Sequence, residues 1–442
     1  MSQKFLSGDE AFAYGVRLAR PDVISAYPIT PQTVVVEKLS EFVEDGSLKS
    51  DFIHVESEHS ALSCAMGVSA AGSRAFTATS SQGLLYMAEC LVYASGGRFP
   101  IVMMNANRST ALPWNIYGDQ RDSLALLDSG WIQAYAKDAQ EALDFALLSY
   151  YVAEHKKVQT PFMVNLDGFA LTHTFESVDV PEQEKADEFL PPFETDNKFD
   201  FDKPVNMAFS AGPDTNTYFK FKEHKAVLNV PEVVAEAEAK FEKIFGRRYT
   251  GLTENYRTED AEFVIVTLGS ISGLVQQVVD KLREQGIKAG LLRIRYMRPF
   301  PEKEIAEALK NVKSLAVLEK NISFGAEGTV YTNVNSALKK AGLDIPSANY
   351  IGGLGGKDIS AEEIEGIYRD LGAGVLGGGS SLGEGTDRHS LSVRILSENP
   401  KTTRCRSSFF NGFPIRAGNA FPSNIKFLGI PESEQQAGGK ND

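Results

Sequence analysis

Along roughly the first 175 positions, short β-branched and apolar runs alternate with longer stretches whose apolar residues recur every three or four places. The short runs predict strands at Val23 to Ala26, Phe52 to Val55, Ala75 to Thr79, Pro100 to Asn105 and Phe162 to Leu166. The longer ones, Gln32 to Phe42, Ser57 to Ala71, Gln82 to Ser95 and Ala139 to Ala153, each place apolar side chains on one helical face. Repeated strand–helix units of this kind build a parallel sheet with helices packed on it, so residues 1–175 read as a first α/β domain. From 176 to 258 the pattern breaks into acidic and proline-containing text with one predicted helix, Val233 to Phe245, which reads as a linker and covering segment. It resumes over 259–370, with strands at Phe263 to Leu268, Ala289 to Ile294 and Leu315 to Glu319 and helices at Gly273 to Gln285, Glu302 to Leu309 and Ala326 to Lys340. That predicts a second, smaller α/β domain. Twelve of the 38 glycines fall between Gly352 and Gly385, and residues 371–442 read as a glycine-rich stretch and C-terminal extension suited to subunit contact.

Composition narrows the function classes. With 442 residues the chain has room for two or three domains with cores of their own, and 43% hydrophobic with 23% charged residues is ordinary globular text. A net charge of -13 opposes binding to phosphate backbones, which argues against nucleic acid as a partner. No run approaches the 18 apolar residues of a membrane span, so no membrane insertion is expected. Three cysteines, Cys64, Cys90 and Cys405, lie far apart and form no C-x-x-C pair, too few to ligate an iron–sulfur cluster alone. Any cluster is therefore expected on another subunit. Scattered odd cysteines and the absence of a charged, apolar leader predict a reducing, cytoplasmic setting.

Gly372, Gly374 and Gly377 spell G-x-G-x-x-G, but a helical stretch, Glu362 to Asp370, precedes it where a dinucleotide fingerprint needs a strand. Three strand ends carry more chemistry. Tyr27-Pro28-Ile29-Thr30-Pro31 fixes a hydroxyl at the carboxyl edge of a strand, although Thr30 could equally be a helix N-cap with Pro31 as first helical residue. Glu56-Ser57-Glu58-His59 offers carboxyls in a first helical turn, where acids also serve the helix dipole. Asn105-Ala106-Asn107-Arg108 places a guanidinium where it suits a carboxylate, or a solvated loop. In a parallel sheet all three ends share one edge, an arrangement that fits a small acid bound beside a cofactor.

These segments, with Thr79-Ser80-Ser81-Gln82-Gly83-Leu84, Asp128-Ser129-Gly130-Trp131 and Asp167-Gly168-Phe169, resemble the alpha-subunit family of pyruvate:ferredoxin oxidoreductases. Leu292-Arg293-Ile294-Arg295-Tyr296-Met297-Arg298-Pro299 resembles the transketolase C-terminal-like domain of the same subunits, and the resemblance runs from about residue 5 to 358. It implies an α/β fold: a thiamine diphosphate pyrimidine-binding domain, a parallel sheet with helices on both faces, plus the smaller transketolase C-terminal-like domain. It implies CoA-dependent oxidative decarboxylation of a 2-oxoacid, pyruvate first, to acyl-CoA and CO2. The expected partners are a beta subunit that shares the thiamine diphosphate and carries the diphosphate and Mg2+ site, a gamma subunit and a ferredoxin-like subunit bearing [4Fe-4S] clusters. The absence of a Gly-Asp-Gly…Asn magnesium–diphosphate pattern from this chain agrees with that division. No metal ligand is implied on this chain.

By motif, Glu58 matches the glutamate that hydrogen-bonds N1′ of the aminopyrimidine and favours its imino tautomer. Arg108 matches the arginine on the 2-oxoacid carboxylate, Thr30 the threonine beside the substrate, and Asn107 is expected to help bind it. Ser81, Gln82 and Gly83 are expected to line the cofactor. The chain departs from the family where Asp119-Gln120-Arg121-Asp122 replaces a usual Asp-His-Gln-Asp, and in its last 55 or so residues, with Phe409, Phe410 and Phe413. Trp114 and Tyr117 leave open a wider pocket, for an aromatic acid such as phenylglyoxylate with NAD as final acceptor. A dehydrogenase E1 beta chain lacks the Tyr-Pro-Ile-Thr-Pro turn. A non-catalytic scaffold would tolerate Glu58→Gln.

Overall fold

The computed structural model describes residues 2–374 and the short strand Val393–Arg394. Its strands run β1 Ser2–Ser7, β2 Val23–Ala26, β3 Asp51–His54, β4 Ala75–Thr79, β5 Val102–Asn107, β6 Ile132–Tyr135, β7 Phe162–Asp167 and β8 Phe175–Val180. They continue with β9 Thr253–Tyr256, β10 Phe263–Thr267, β11 Ala289–Ile294, β12 Tyr296–Arg298, β13 Ser314–Glu319, β14 Ser347–Ile351 and β15 Val393–Arg394. One sheet has the order β12-β6-β7-β5-β4-β2-β3, parallel except for the edge strand β12. The other has the order β15-β14-β13-β10-β11-β9, parallel except for β9.

Alternation along the strands explains why both faces of each sheet are covered. In the first sheet Phe76, Val102, Met104 and Val164 point to one core, filled from helices Gly8–Ala19 and Ala139–Glu154. Met103 and Met163 point to the other, under helix Glu58–Ala70 with Ala61, Leu62 and Ala65. In the second sheet Val264 and Val266 face helices Glu302–Leu309 and Thr329–Lys340, while Ile265 faces helices Ile271–Glu284 and Ala361–Gly372. A period of two on strands and near 3.6 on helices is enough to sort these side chains.

Elsewhere the structure corrects the sequence reading. The segment 176–258 is more than a linker with one helix, since it carries β8, helices Gln183–Phe189, Pro213–Leu228 and Val230–Phe245, and β9. β8 pairs antiparallel with β1, which no local pattern announces, and Phe189 is buried against Phe241 and Phe245. Gln82 to Ser95 is two helices, Ser81–Tyr86 and Ala88–Gly96, parted at Met87. β6, β12 and β14 are short strands fixed by their neighbours rather than by composition. β12 also leaves its own domain: it follows β11 within two residues and pairs with β6 of the first sheet. Gly377 of the glycine motif, Cys405 and the extension with Phe409, Phe410 and Phe413 lie outside the described residues.

That crossover brings Arg293 and Arg295, each 1% exposed, onto Glu141 of helix Ala139–Glu154. Glu141 accepts from Arg293 Nη1 at 2.7 Å and Nη2 at 2.8 Å and from Arg295 Nε at 2.9 Å. Arg293 also bonds Glu254, and Arg295 bonds Glu238 at 2.6 Å. Burial would raise the Glu141 carboxyl, but the two guanidinium groups outweigh it and hold it at about 2. The domains are thus joined by a buried ion network in which every oxygen of Glu141 has a donor.

Candidate active site

The order β5-β4-β2-β3 places four parallel strands side by side, so the segments that follow them share one edge. β2 leads to Thr30, β3 to Glu58, β4 to Ser81–Gly83 and β5 to Arg108. Ligands of open α/β sheets bind at this edge.

Glu58 is the first residue of helix Glu58–Ala70, whose N-cap Ser57 accepts from the amide of Ser60 at 3.2 Å. Its side chain is 9% exposed, and no hydrogen bond to it is found among the described residues. A Cβ added to Gly83 would stand 2.7 Å from Glu58 Oε1 and 2.7 Å from Thr79 Oγ1, so only glycine lets the short helix Ser81–Tyr86 approach the carboxyl. Thr79 Oγ1 is itself buried without a partner. An unpartnered Thr79 hydroxyl beside a Glu58 carboxyl with no protein donor among the described residues, over a glycine floor, is what a heterocycle with paired donor and acceptor atoms would complete.

Arg108 is 3% exposed. Its Nη1 donates to the carbonyl of Thr30 at 2.7 Å, Trp114 lies over the guanidinium at 5.0 Å, and Nε is buried with no partner. Burial lowers its pKa, while Asp122 and Glu58 pull the other way, which places all three charges in one electrostatic neighbourhood. The guanidinium thus keeps donors free beneath an indole lid.

The remaining predicted residues occupy supporting places. Thr30 is exposed and contributes its carbonyl to Arg108. It is not a helix N-cap: helix Thr33–Glu44 begins three residues later with Gln32 before it, and Gln32 Oε1 accepts from the amide of Ile29 at 3.2 Å. Asn107 is buried and donates to Asp122 at 2.7 Å and Ser123 at 2.8 Å, leaving its Oδ1 unpaired. Ser81, at φ 52°, has its Oγ 2.7 Å from Ser109 O and 2.6 Å from Gln82 Oε1, and its single proton serves one or the other. Sequence reasoning gave no role to Asp122. Burial pushes its carboxyl up to about 6, and donors from Asn107, Arg108 and Ser123 oppose that rise. The only local signal was its place in the stretch that departs from the family pattern. Within that stretch Arg121 pairs with Asp119 at 2.9 Å, and Gln120 donates to Asp167 at 2.9 Å.

The second domain braces the loop that follows Arg108. Asn115 Nδ2 donates to Gly355 O at 3.0 Å, and Gly355 N donates to Asp119 at 3.0 Å. A separate recess of about 740 Å³ lies between the domains, lined by Phe169, Ser270, Lys320 and Gly353, and does not include Glu58 or Arg108. Among the described residues no group of three or more His, Cys, Asp and Glu could hold a metal ion. No helix among them is long and apolar enough to cross a membrane.

The fold and this cleft define a two-domain α/β subunit of the thiamine diphosphate enzyme type. Residues 14–239 match the thiamine diphosphate-binding domain of pyruvate flavodoxin/ferredoxin oxidoreductases, and residues 261–364 match core domain II of pyruvate:ferredoxin oxidoreductase. The chain is 47% identical over 369 residues to pyruvate synthase subunit PorA of Methanothermobacter thermautotrophicus, covering 84% of this chain and 95% of that one. It is 43% identical over 370 residues to ketoisovalerate oxidoreductase subunit VorA of Pyrococcus horikoshii, covering 84% and 93%. Among solved structures, 2-oxoglutarate:ferredoxin oxidoreductase from Magnetococcus marinus superposes with a TM-score of 0.65 at 20% identity, over 84% of this chain and 65% of that one, which bears on the fold alone. The chain belongs to the pyruvate:ferredoxin oxidoreductase family, as an alpha subunit.

Proposed function

We propose that this chain forms the pyrimidine-binding wall of a thiamine diphosphate site and the carboxylate-binding wall of a pyruvate site. The complex built on it oxidises pyruvate with coenzyme A to acetyl-CoA and CO2, the two electrons passing to iron–sulfur clusters on partner chains, and runs the reverse reaction when those clusters supply the electrons. The observation that carries the reading is the Glu58 carboxyl, buried yet without a protein donor, beside Gly83 and within electrostatic reach of Arg108. When bound, thiamine diphosphate supplies the carbanion-stabilising chemistry that a 2-oxoacid decarboxylation requires.

The chain's own residues then have distinct tasks. Glu58 holds a proton at the ring nitrogen it faces, and so sets the tautomer of the aminopyrimidine. Gly83, lacking a Cβ, would leave room for that ring between Glu58 and the helix Ser81–Tyr86. Arg108 binds the 2-oxoacid carboxylate through the donors not given to Thr30, and burial strengthens that pairing. Trp114, whose indole lies 5.0 Å from the guanidinium, stands beside this carboxylate site, and the preference for pyruvate over phenylglyoxylate rests on the likeness to pyruvate synthase subunits. Asn107 holds Asp122, which accepts the Arg108 amide, and Thr30 forms the rim.

In this reading, Mg2+ and the diphosphate are held by a beta subunit, and [4Fe-4S] clusters lie on a ferredoxin-like chain, with a gamma subunit completing the complex. Three cysteines, of which Cys64 and Cys90 are free thiols, support a reducing, cytoplasmic setting and leave cluster ligation to those partners. The test is anaerobic purification of the assembled complex and coenzyme A-dependent dye reduction with pyruvate, 2-ketoisovalerate and phenylglyoxylate. Pyruvate is expected to give the highest kcat/KM. A clear preference for either larger acid would overturn the substrate assignment.

A further inference from the structure

We infer that Asp122 is a positioning residue whose single carboxylate ties the cofactor-facing turn Ser81–Gly83 to the substrate-facing Arg108. Asp122 lies in the short helix Arg121–Leu124, away from the four strand ends that carry the site. Its Oδ2 accepts the backbone N–H of Ser81 at 3.1 Å and the backbone N–H of Arg108 at 3.1 Å. Asn105 Nδ2 reaches the same oxygen at 3.3 Å. Its Oδ1 accepts from Asn107 Nδ2 at 2.7 Å and from the Ser123 amide at 2.8 Å.

All five groups are donors, so both oxygens must be acceptors. A carboxylate satisfies them, whereas an amide would turn an NH2 group against two N–H donors on one side or the other. The Ser81 and Arg108 amides are buried, and without Asp122 each would lose its acceptor in a place water does not reach. Ser81 also sits at φ 52°, a conformation that a non-glycine residue keeps only when its surroundings impose it. The Asp122 bond to its amide is part of that imposition.

The consequence is mechanical coupling between the two walls of the cleft. Ser81 fixes the helix whose Gly83 touches Glu58, and Arg108 in turn holds the Thr30 carbonyl at 2.7 Å. One carboxylate therefore sets the spacing between the cofactor floor and the carboxylate-binding guanidinium, and fixes the third strand end through it. Asp122 need not touch substrate or cofactor to do this.

The inference rests on the proposed reading of Glu58 and Arg108 as cofactor and substrate contacts. The experiment uses the assembled complex with Asp122→Asn, Glu58→Gln and Arg108→Lys. Two quantities are measured: thiamine diphosphate affinity, by calorimetric titration of the cofactor-stripped complex, and KM for pyruvate. Asp122→Asn is expected to weaken both by about tenfold or more, because one shared anchor is lost. Arg108→Lys should move KM with little change in cofactor affinity. Asn105→Ala, which removes the longest of the five contacts together with the 3.0 Å bond to Asn165 Oδ1, should shift both constants in the same direction by a smaller factor, and decides the matter where Asp122→Asn does not assemble. If Asp122→Asn and Asn105→Ala move neither constant, or only one of the two, the coupling is wrong. If Glu58→Gln and Arg108→Lys themselves leave both constants unmoved, the reading beneath it fails instead.

Discussion

Glu58 and Glu141 are both buried glutamates in the first turn of a long helix of the first domain, and their surroundings could hardly differ more. Glu141 receives three guanidinium hydrogen bonds and one from the amide of Lys137 at 2.9 Å. Glu58 receives none from the described residues, and faces a glycine and an unpaired threonine hydroxyl. The lesson concerns satisfaction rather than burial. A saturated buried carboxylate holds the fold together, while an unsaturated one at a strand edge stands ready for something that is not protein.

The largest effect on the saturated side is expected from Glu141→Gln. Two buried guanidinium groups would lose their common anion, and removing one partner of such a network costs about 3–5 kcal/mol. The unfolding temperature of the complex should fall by several degrees, read by calorimetry, with kcat at low temperature close to wild type. Next comes acid. The Glu141 carboxyl lies at about 2 against an ordinary 4.5. Because the folded value is depressed, its contribution is present above pH 4.5 and is lost as pH falls toward 2. That loss amounts to about 3 kcal/mol from this one group. Urea unfolding at pH 5.5 and pH 3 compares the two, and Glu141→Gln should flatten the difference. If the acid-induced loss is the same in the variant, the network does not carry it.

On the unsaturated side the effects are on binding and rate. Arg108→Lys keeps the charge but loses the fork geometry, and KM for pyruvate should rise about ten- to hundredfold with a smaller change in kcat. An unchanged KM would remove Arg108 from the substrate. The smallest effect is expected from Gly83→Ala. Its Cβ would meet Glu58 Oε1 and the buried Thr79 Oγ1 at 2.7 Å each, and only the glutamate can swing away, so cofactor affinity should weaken about tenfold with a small drop in unfolding temperature.

Much of this was legible in the sequence, and the gaps have physical causes. The four long strand–helix units of the first domain announce themselves by period, and Thr30, the Glu56–Glu58 turn and Arg108 stand out because each follows a strand that pattern can locate, whereas Ser81–Gly83 and the choice of Glu58 came from the family resemblance. A parallel sheet puts these strand ends on one edge, and the strand order β5-β4-β2-β3 in the structure brings them side by side. β12 was not visible because three residues, Tyr296–Arg298, join a sheet belonging to the other domain, and only tertiary pairing decides that. β1 and β8 were missed for the same reason, since they form an antiparallel pair some 170 residues apart in the chain. Asp122 was hidden for a different reason: its task lies in accepting backbone amides from two other segments, and amides carry no sequence signal. The Trp114 lid on Arg108 likewise depends on how the intervening loop folds back, braced by Gly355 from the second domain.

The most direct measurement is to compare Glu58→Gln and Glu141→Gln in the same assembled complex, each for thermal unfolding and for pyruvate- and coenzyme A-dependent dye reduction. Glu58→Gln should melt with the wild type and lose turnover by a factor on the order of 10² to 10⁴. Glu141→Gln should do the reverse, melting early and turning over normally while folded. A Glu58→Gln complex that keeps wild-type turnover would contradict the account, because the free carboxyl at the strand edge would then have no part in the chemistry.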